Sequence, residues 1–254
     1  MPRVLVVVPT LGQRIPFLRQ CLESIRDQGV ASDVVIVRPA NSEAVDRLAV
    51  ELGCELMDDP GSLPGAINLG ISTHGAGHDF VTWLGDDDLL ARDSFRHVSG
   101  ALDSGPEAVA AYGYCEYIDD GGQILWTSRA GPLATKILKW GPDLVPQPGI
   151  LIRSHAWRLV GGLDDSYRFA FDLDLLLKLQ KIGKIASVQK VVSSFRWHSG
   201  SLTVSDRRTN LFESEQAKRT HLRPILRPIA PLWEAPVRVA TRVAAKRVNQ
   251  RVGR

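Results

Sequence analysis

Three clusters in this 254-residue chain have residue types and spacings that could do chemistry. The first is Asp86-Asp87-Asp88, three consecutive carboxylates directly after the apolar run Phe80 to Leu84. Crowded like charges repel, which is costly unless a cation sits among them. An all-oxygen donor set suits Mg²⁺ or Mn²⁺, and such an ion can hold a diphosphate and neutralise the charge that builds as it departs. The alternative is a solvated acidic turn before a helix starting near Arg92, where carboxylates favour the positive end of the helix dipole. The second cluster is Phe169-Ala170-Phe171-Asp172-Leu173-Asp174. Apolar surroundings raise a carboxylate's pKa towards the range of a general base. Asp172 is therefore the candidate base and Asp174 its helix-terminal or hydrogen-bonding support; the alternative is that one of them is a plain helix cap. The third cluster runs from Phe195 to Thr203 and follows a Val-rich strand. There Arg196 can pair with phosphate oxygens and a neutral His198 can ligate a metal, so the loop could close over a diphosphate. A purely structural loop is the competing reading.

These clusters need elements to position them. Apolar runs at Val4 to Val8, Val34 to Val37 and Phe80 to Leu84 read as buried strands, separated by helix-period segments at Phe17 to Arg26, Glu43 to Leu52 and Pro64 to Ser72. That alternation predicts right-handed βαβ units, hence an α/β fold with a mostly parallel central sheet flanked by helices. Ligands of such sheets bind beyond the carboxyl ends of the strands. Two of those ends are chemically loaded, Pro9-Thr10-Leu11-Gly12 after the first and Gly85 to Asp88 after the Trp83-Leu84 end. The second half reads as α+β, with strands near Val109 to Tyr117, Ile124 to Trp126 and Gly149 to Ile152, and a helix from about Asp172 to Ile182.

Composition narrows the function classes. Cys21, Cys54 and Cys115 lie far apart in sequence, which suggests neither a disulfide framework nor a thiolate metal site and fits a cytoplasmic setting. The run Val4 to Val8 is too short to span a bilayer and lacks the flanks of a signal peptide. The net charge of +3 hides an asymmetry. Residues 223–254 carry eight Lys/Arg against Glu234 alone, giving +7 there and −4 in the rest. A near-neutral body argues against a nucleic-acid partner, and the basic end favours an anionic membrane surface. Prolines at 224, 228, 231 and 236 predict no continuous helix before Val237.

Taken in this order, the clusters resemble the glycosyltransferase family 2 pattern on a GT-A fold, a likeness covering residues 3 to 205. Val6-Val7-Val8-Pro9-Thr10-Leu11-Gly12 with Leu18, Leu22, Ser24 and Gln28 is similar to the family's first strand and helix. Ala66-Ile67-Asn68-Leu69-Gly70 matches its Ala-x-Asn-x-Gly element. Gly85-Asp86-Asp87-Asp88 stands at its Asp-x-Asp metal motif. Pro146 to Arg153, Val160 to Asp164 and Phe171 to Leu175 resemble its acceptor-side signature, ending in the base. The resemblance implies an inverting transfer of a sugar from a nucleotide-sugar donor to a hydroxyl acceptor, a glycan or lipid-linked saccharide in envelope or polysaccharide synthesis. It implies Asp172 as base and a divalent metal, Mg²⁺ or Mn²⁺, held by Asp87 and Asp88 with His198. Pro9, Thr10, Gly12, Arg38, Asn68, Asp86 and Arg196 would meet the nucleotide sugar. Residues 1–222 would form the transferase domain, with a nucleotide-binding half to about 105 and an acceptor half from 106. Residues 223–254 would be a basic tail, placing the protein in the cytoplasm or on the inner face of the membrane.

Two departures qualify the likeness. Gly85 fills the first acidic position if the motif is aligned without a gap, making Asp87 the main metal contact; Asp86-x-Asp88 is the competing register. After the second strand, Arg38-Pro39-Ala40-Asn41-Ser42 replaces the usual Asp-Asp-Gly-Ser, which leaves uridine specificity open, with Asp58 or Asp59 as substitute carboxylates. Two other functions remain compatible with the pattern, a sugar-phosphate nucleotidyltransferase and a non-catalytic nucleotide-sugar-binding protein.

Overall fold

The computed structural model of the chain describes residues 2–197, 206–239 and 241. In the first half, β1 (Val4–Pro9), α1 (Ile15–Arg26), β2 (Ser32–Arg38), α2 (Glu43–Leu52), β3 (Glu55–Asp58), α3 (Leu63–His74) and β4 (Phe80–Trp83) alternate as the apolar pattern requires. These strands lie in the order β3-β2-β1-β4, and every pairing among them is parallel. Val4 to Val8 are all buried, as a parallel strand covered on both faces must be. Their side chains alternate between the faces. Val4, Val6 and Val8 join the core of α1 and α2 with Leu18, Leu22 and Leu48, whereas Leu5 and Val7 join that of α3 with Ile67 and Ile71.

The second half comprises β5 (Leu89–Leu90), α4 (Ser94–Ser104), β6 (Ala108–Ile118), β7 (Ile124–Ser128), α5 (Pro132–Ile137), β8 (Leu151–Arg153), α6 (Ser154–Val160), α7 (Phe171–Leu179), β9 (Lys184–Arg196) and α8 (Arg207–His221). The same sheet continues as β4-β8-β6-β9-β5, with β7 beside β6. Strand β8 runs antiparallel to β4 and β6, while the long β6–β9 ladder is parallel. The result is a mostly parallel sheet with helices on both faces, and the short antiparallel β8 joins its two halves.

Ser24 of α1 and Gln28 just after it explain why this helix matters to the carboxylate cluster. Buried Gln28 donates to the carbonyls of Ser24 and Ala91 and accepts from the Phe95 N–H, and Ser24 Oγ accepts from the Leu90 N–H. The chain leaving Asp88 is thereby pinned to the first helix.

The C-terminal region differs from expectation. After a single 3₁₀ turn at Pro224–Leu226, a helix begins at residue 231 and is described to 239, rather than starting at Val237. Pro231 stands in its first turn, where the missing N–H has no partner to lose. Pro236 lies inside the helix and forfeits one backbone bond.

Candidate active site

The β1 end and the β4 end meet through side chains. Thr10, almost fully buried, accepts at Oγ1 from the Gly12 N–H at 3.0 Å and donates that hydroxyl to Asp86 Oδ2. Asp87 faces Arg14 at 3.5 Å. Asp88 is 4% exposed and accepts the Arg196 N–H at 3.0 Å. Burial first, then repulsion by the Asp87 carboxylate, pushes the Asp88 carboxyl well above the usual range, and the bond from Arg196 offsets this only in part.

Gly85 leaves open space beside two of these carboxylates. A Cβ built on Gly85 would stand 3.0 Å from Asp88 Oδ2 and 3.1 Å from Asp87 Oδ1. The two oxygens therefore converge over the bare α-carbon, in space that the usual acidic side chain would fill. Among the described residues no three His, Cys, Asp or Glu groups gather into a complete metal cage. A pair of carboxylates whose mutual repulsion a cation would relieve is nonetheless the donor set that Mg²⁺ or Mn²⁺ uses when substrate phosphates and water complete its shell. The residues present fit such an ion: Asp87 and Asp88 bring oxygens close to Gly85, while Asp86 bonds Thr10 and Asp87 also faces Arg14. His198 lies outside the described residues.

Asp172 sits in the first turn of α7, part-exposed, and accepts the Leu173 N–H at 2.7 Å. It opens onto a small pocket lined by Trp83, Gln147, Ile150, Leu175 and Leu176. Trp83 links this pocket to the carboxylate loop two residues on, and its carbonyl accepts from Gln147 Nε2 at 3.0 Å. The aromatic wall is continuous, with the Trp83 ring 6.1 Å from Trp157 and 6.4 Å from Phe171. Burial pushes the Asp172 carboxyl up to about 7, and the nearby Asp143 carboxylate acts in the same direction. A carboxylate poised there is basic enough to take a proton near neutral pH.

Helix α7 lacks a local cap: Ala170 is its N-cap and offers no polar side chain. Glu213, from α8, fixes the turn that leads into it. Its carboxylate accepts the N–H groups of Arg168, Phe169 and Ala170 at 3.2, 2.6 and 3.1 Å. A second tie comes from His221 of α8, whose Nε2 lies 2.7 Å from Asp174 Oδ1, with Lys178 Nζ 2.8 Å from the other oxygen. Burial opposes ionisation of Asp174, but these two partners outweigh it and hold the carboxyl below its ordinary range. Asp174 is thus an anchor between helices. Glu213 and His221 carry no motif; only their distance from the base in space, not in sequence, reveals them.

Two residues expected to meet the donor are engaged by neighbouring groups. Arg196 is 1% exposed, and its guanidinium donates to the carbonyls of Asp87, Asp119 and Asp120 and to Gln20 Oε1, with Phe17 stacked 4.2 Å away. It ties the carboxylate loop to α1 and to the turn at Asp119-Asp120. Asn68 donates from Nδ2 to the Leu163 carbonyl and to Asp165, and accepts the Leu163 N–H, so its amide latches the 161–165 turn. Gly162, at φ +71°, leaves room for that latch, since a Cβ there would stand 2.7 Å from Asn68 Oδ1. At the β2 end, Arg38 lies between Asp46 (2.8 Å) and Asp58, its parallel neighbour across the β2–β3 ladder. A carboxylate is therefore present beside the position where the usual acidic turn is lost. Asp59 turns away and caps the Gly61 N–H.

Known proteins share the family pattern and the fold. The model of the family described as Glycosyl transferase family 2 matches residues 5–160, more than half of the chain. The chain belongs to glycosyl transferase family 2. An uncharacterized glycosyltransferase of Rickettsia typhi is 21% identical over 214 residues, and one of Rickettsia prowazekii gives the same figures. The match takes in 80% of this chain and 66% of each of those proteins, so the chain spans about two thirds of the length of these curated relatives. Among solved structures, S. aureus TarS 1-349 in complex with UDP superposes with a TM-score of 0.63 at 13% identity, over 92% of this chain and 70% of that one. A longer S. aureus TarS chain is covered to 42%. The mannosyltransferase PcManGT from Pyrobaculum calidifontis, in complex with GDP-Man and Mn²⁺, gives 0.59 at 19% identity, over 96% and 75%. At these identities the likeness shows the GT-A fold. The family match ends at Val160, so the base helix and its grip from α8 stand on geometry alone.

Proposed function

We propose that this family 2 member is an inverting glycosyltransferase that moves a sugar from a nucleoside-diphosphate donor to an acceptor hydroxyl. The observation that carries the reading is Asp172, raised to about 7 in an aromatic-walled pocket that adjoins the carboxylate loop through Trp83. In this reading the acceptor oxygen attacks the anomeric carbon as its proton passes to the Asp172 carboxylate. The bond from that carbon to the diphosphate oxygen breaks on the opposite face. One displacement inverts the centre, and no second carboxylate is needed as nucleophile. Asp87 and Asp88 would hold the divalent metal, which when bound supplies positive charge against the departing diphosphate. Pro9, Thr10 and Gly12 let the backbone approach the nucleotide, and Arg38 with Asp58 faces its base.

The structural neighbours carry UDP in one case and GDP-Man with Mn²⁺ in the other, which supports a nucleotide-sugar donor and leaves either base open. The acceptor is a glycan or lipid-linked saccharide of envelope or polysaccharide synthesis, met at an anionic membrane surface through the basic end of the chain. Among the described residues no helix is long and apolar enough to cross a membrane. Nucleoside diphosphate release, measured over a panel of donors with and without Mn²⁺, tests the reading. Release from a nucleotide sugar that Mn²⁺ stimulates and Asp172→Asn abolishes supports it, whereas unchanged turnover in that variant removes Asp172 as the base.

A further inference from the structure

Among the described residues, the stretch after α8 exposes several aliphatic side chains. We propose that residues 224–239 form a shallow docking face that seats the protein on an anionic lipid surface by inserting aliphatic side chains, so that the acceptor reaches Asp172 from that surface. The clause about the acceptor rests on the transferase reading above; the docking itself does not.

Ile225, Ile229, Leu232 and Val239 are 81%, 46%, 76% and 60% exposed, close together along one short stretch. Soluble surfaces rarely leave so much aliphatic area in one place without a use. The sorting of charge over the same stretch argues for lipid in particular. Its one acid, Glu234, is turned inward, 5% exposed, and held by Arg219 Nε at 2.8 Å. Arg227 and, just before the stretch, Arg223 are exposed and positive, and Arg238 is paired with Glu215. Aliphatic and cationic groups facing out, with the acid folded under, complement a layer of anionic headgroups over acyl chains, since arginine stems lie along apolar surface while their heads stay wet. The sequence beyond continues in the same sign with Arg242, Lys246, Arg247, Arg251 and Arg254.

The face is joined to the acceptor side. Trp233 meets Trp140 edge to face at 5.1 Å, and Trp140 is 41% exposed, an amphipathic pair suited to a membrane interface. Lys218 Nζ bonds the Gly141 carbonyl at 2.6 Å. The segment that follows supplies Gln147 and Ile150 to the Asp172 pocket.

The test is co-sedimentation of the full chain with vesicles of phosphatidylcholine alone and of phosphatidylcholine mixed with phosphatidylglycerol. Ile225→Glu and Leu232→Glu change only exposed side chains, so the fold should survive, as melting would show. Docking predicts binding to the anionic vesicles and weaker binding to the neutral ones. Each Glu variant should bind at least about tenfold more weakly. Equal binding by the variants overturns insertion and leaves only electrostatic adsorption by the tail. Concentration-dependent dimers in lipid-free solution that Leu232→Glu disperses overturn it too, because the face would then belong to a second copy. Nucleoside diphosphate release without vesicles should be the same in both variants and the parent. A parent chain that binds vesicles but turns over no donor would sink the transferase reading and leave docking intact.

Discussion

The two halves of the site handle negative charge in opposite ways. In the β4 loop, carboxylates are crowded: Asp87 and Asp88 aim oxygens over Gly85, and the fold holds that repulsion in place with Arg196 underneath. On α7 the Asp172 carboxylate stands among Trp83, Ile150 and Leu176, with Asp143 the nearby like charge, and the fold stabilises its helix with groups that do not touch it. The first arrangement suits an incoming cation; the second suits an incoming proton. Burial is the larger cause of the raised carboxyl in both halves, with a like charge second; what differs is the surroundings, several carboxylates in the loop against an aromatic and aliphatic wall at Asp172.

The comparison can be broken most severely at Asp172. Asp172→Asn should cost turnover on the order of a thousandfold while leaving donor binding intact. It should also stabilise the fold at alkaline pH. The folded-state pKa lies above the unfolded one, so the ionisation penalty is absent below the unfolded value and complete above about 7. Melting curves across that range should show the variant's advantage growing with pH, and a flat difference would mean that the carboxyl is not raised.

Gly85→Ala probes the crowded half. A methyl 3.0 Å from Asp88 Oδ2 must displace an oxygen, so Mn²⁺ affinity should fall about tenfold or more with little loss of melting temperature. Calorimetric Mn²⁺ titration reads this directly; unaltered affinity would place the metal elsewhere. Glu213→Gln tests whether the isolated half is positioned from α8. Exchanging a charged acceptor for a neutral one over three N–H groups should cost about 1–2 kcal/mol and lower kcat several-fold. The donor KM should hold, and the pH profile should shift if Asp172 is displaced. Glu213→Asp should recover less than half of the loss if reach matters. The smallest effect is expected at Arg38. Arg38→Ala should change the preference between uridine and guanosine donors by a few-fold without altering kcat for the better one, and identical KM ratios would remove Arg38 from base recognition.

Much of the first half was legible because each of its elements carries its own periodic signal. Val4 to Val8, Glu43 to Leu52 and Phe80 to Leu84 predict buried strand or helix from local pattern, and the strand ends named the chemistry. Helix α8 gives no such signal: its surface is polar nearly all round, and it buries only a narrow set that includes Ala217 and His221. Arg196 and Asn68 read two ways for a related reason. An arginine or an amide in a motif reads as a ligand contact, yet the same donors can satisfy buried carbonyls, and sequence does not show which groups are left unpaired.

By itself, then, the amino-acid order determined the βαβ rhythm, the family pattern and the identity of the acidic residues, because these follow from hydrophobic period and short-range spacing. The tertiary structure alone decided that Gly85 makes room for two converging oxygens, that Asp172 is desolvated while Asp174 is paired, and that Glu213 holds the turn before α7 from more than forty residues away. Those outcomes depend on desolvation and on hydrogen-bond partners far along the chain, and both exist only once it has folded.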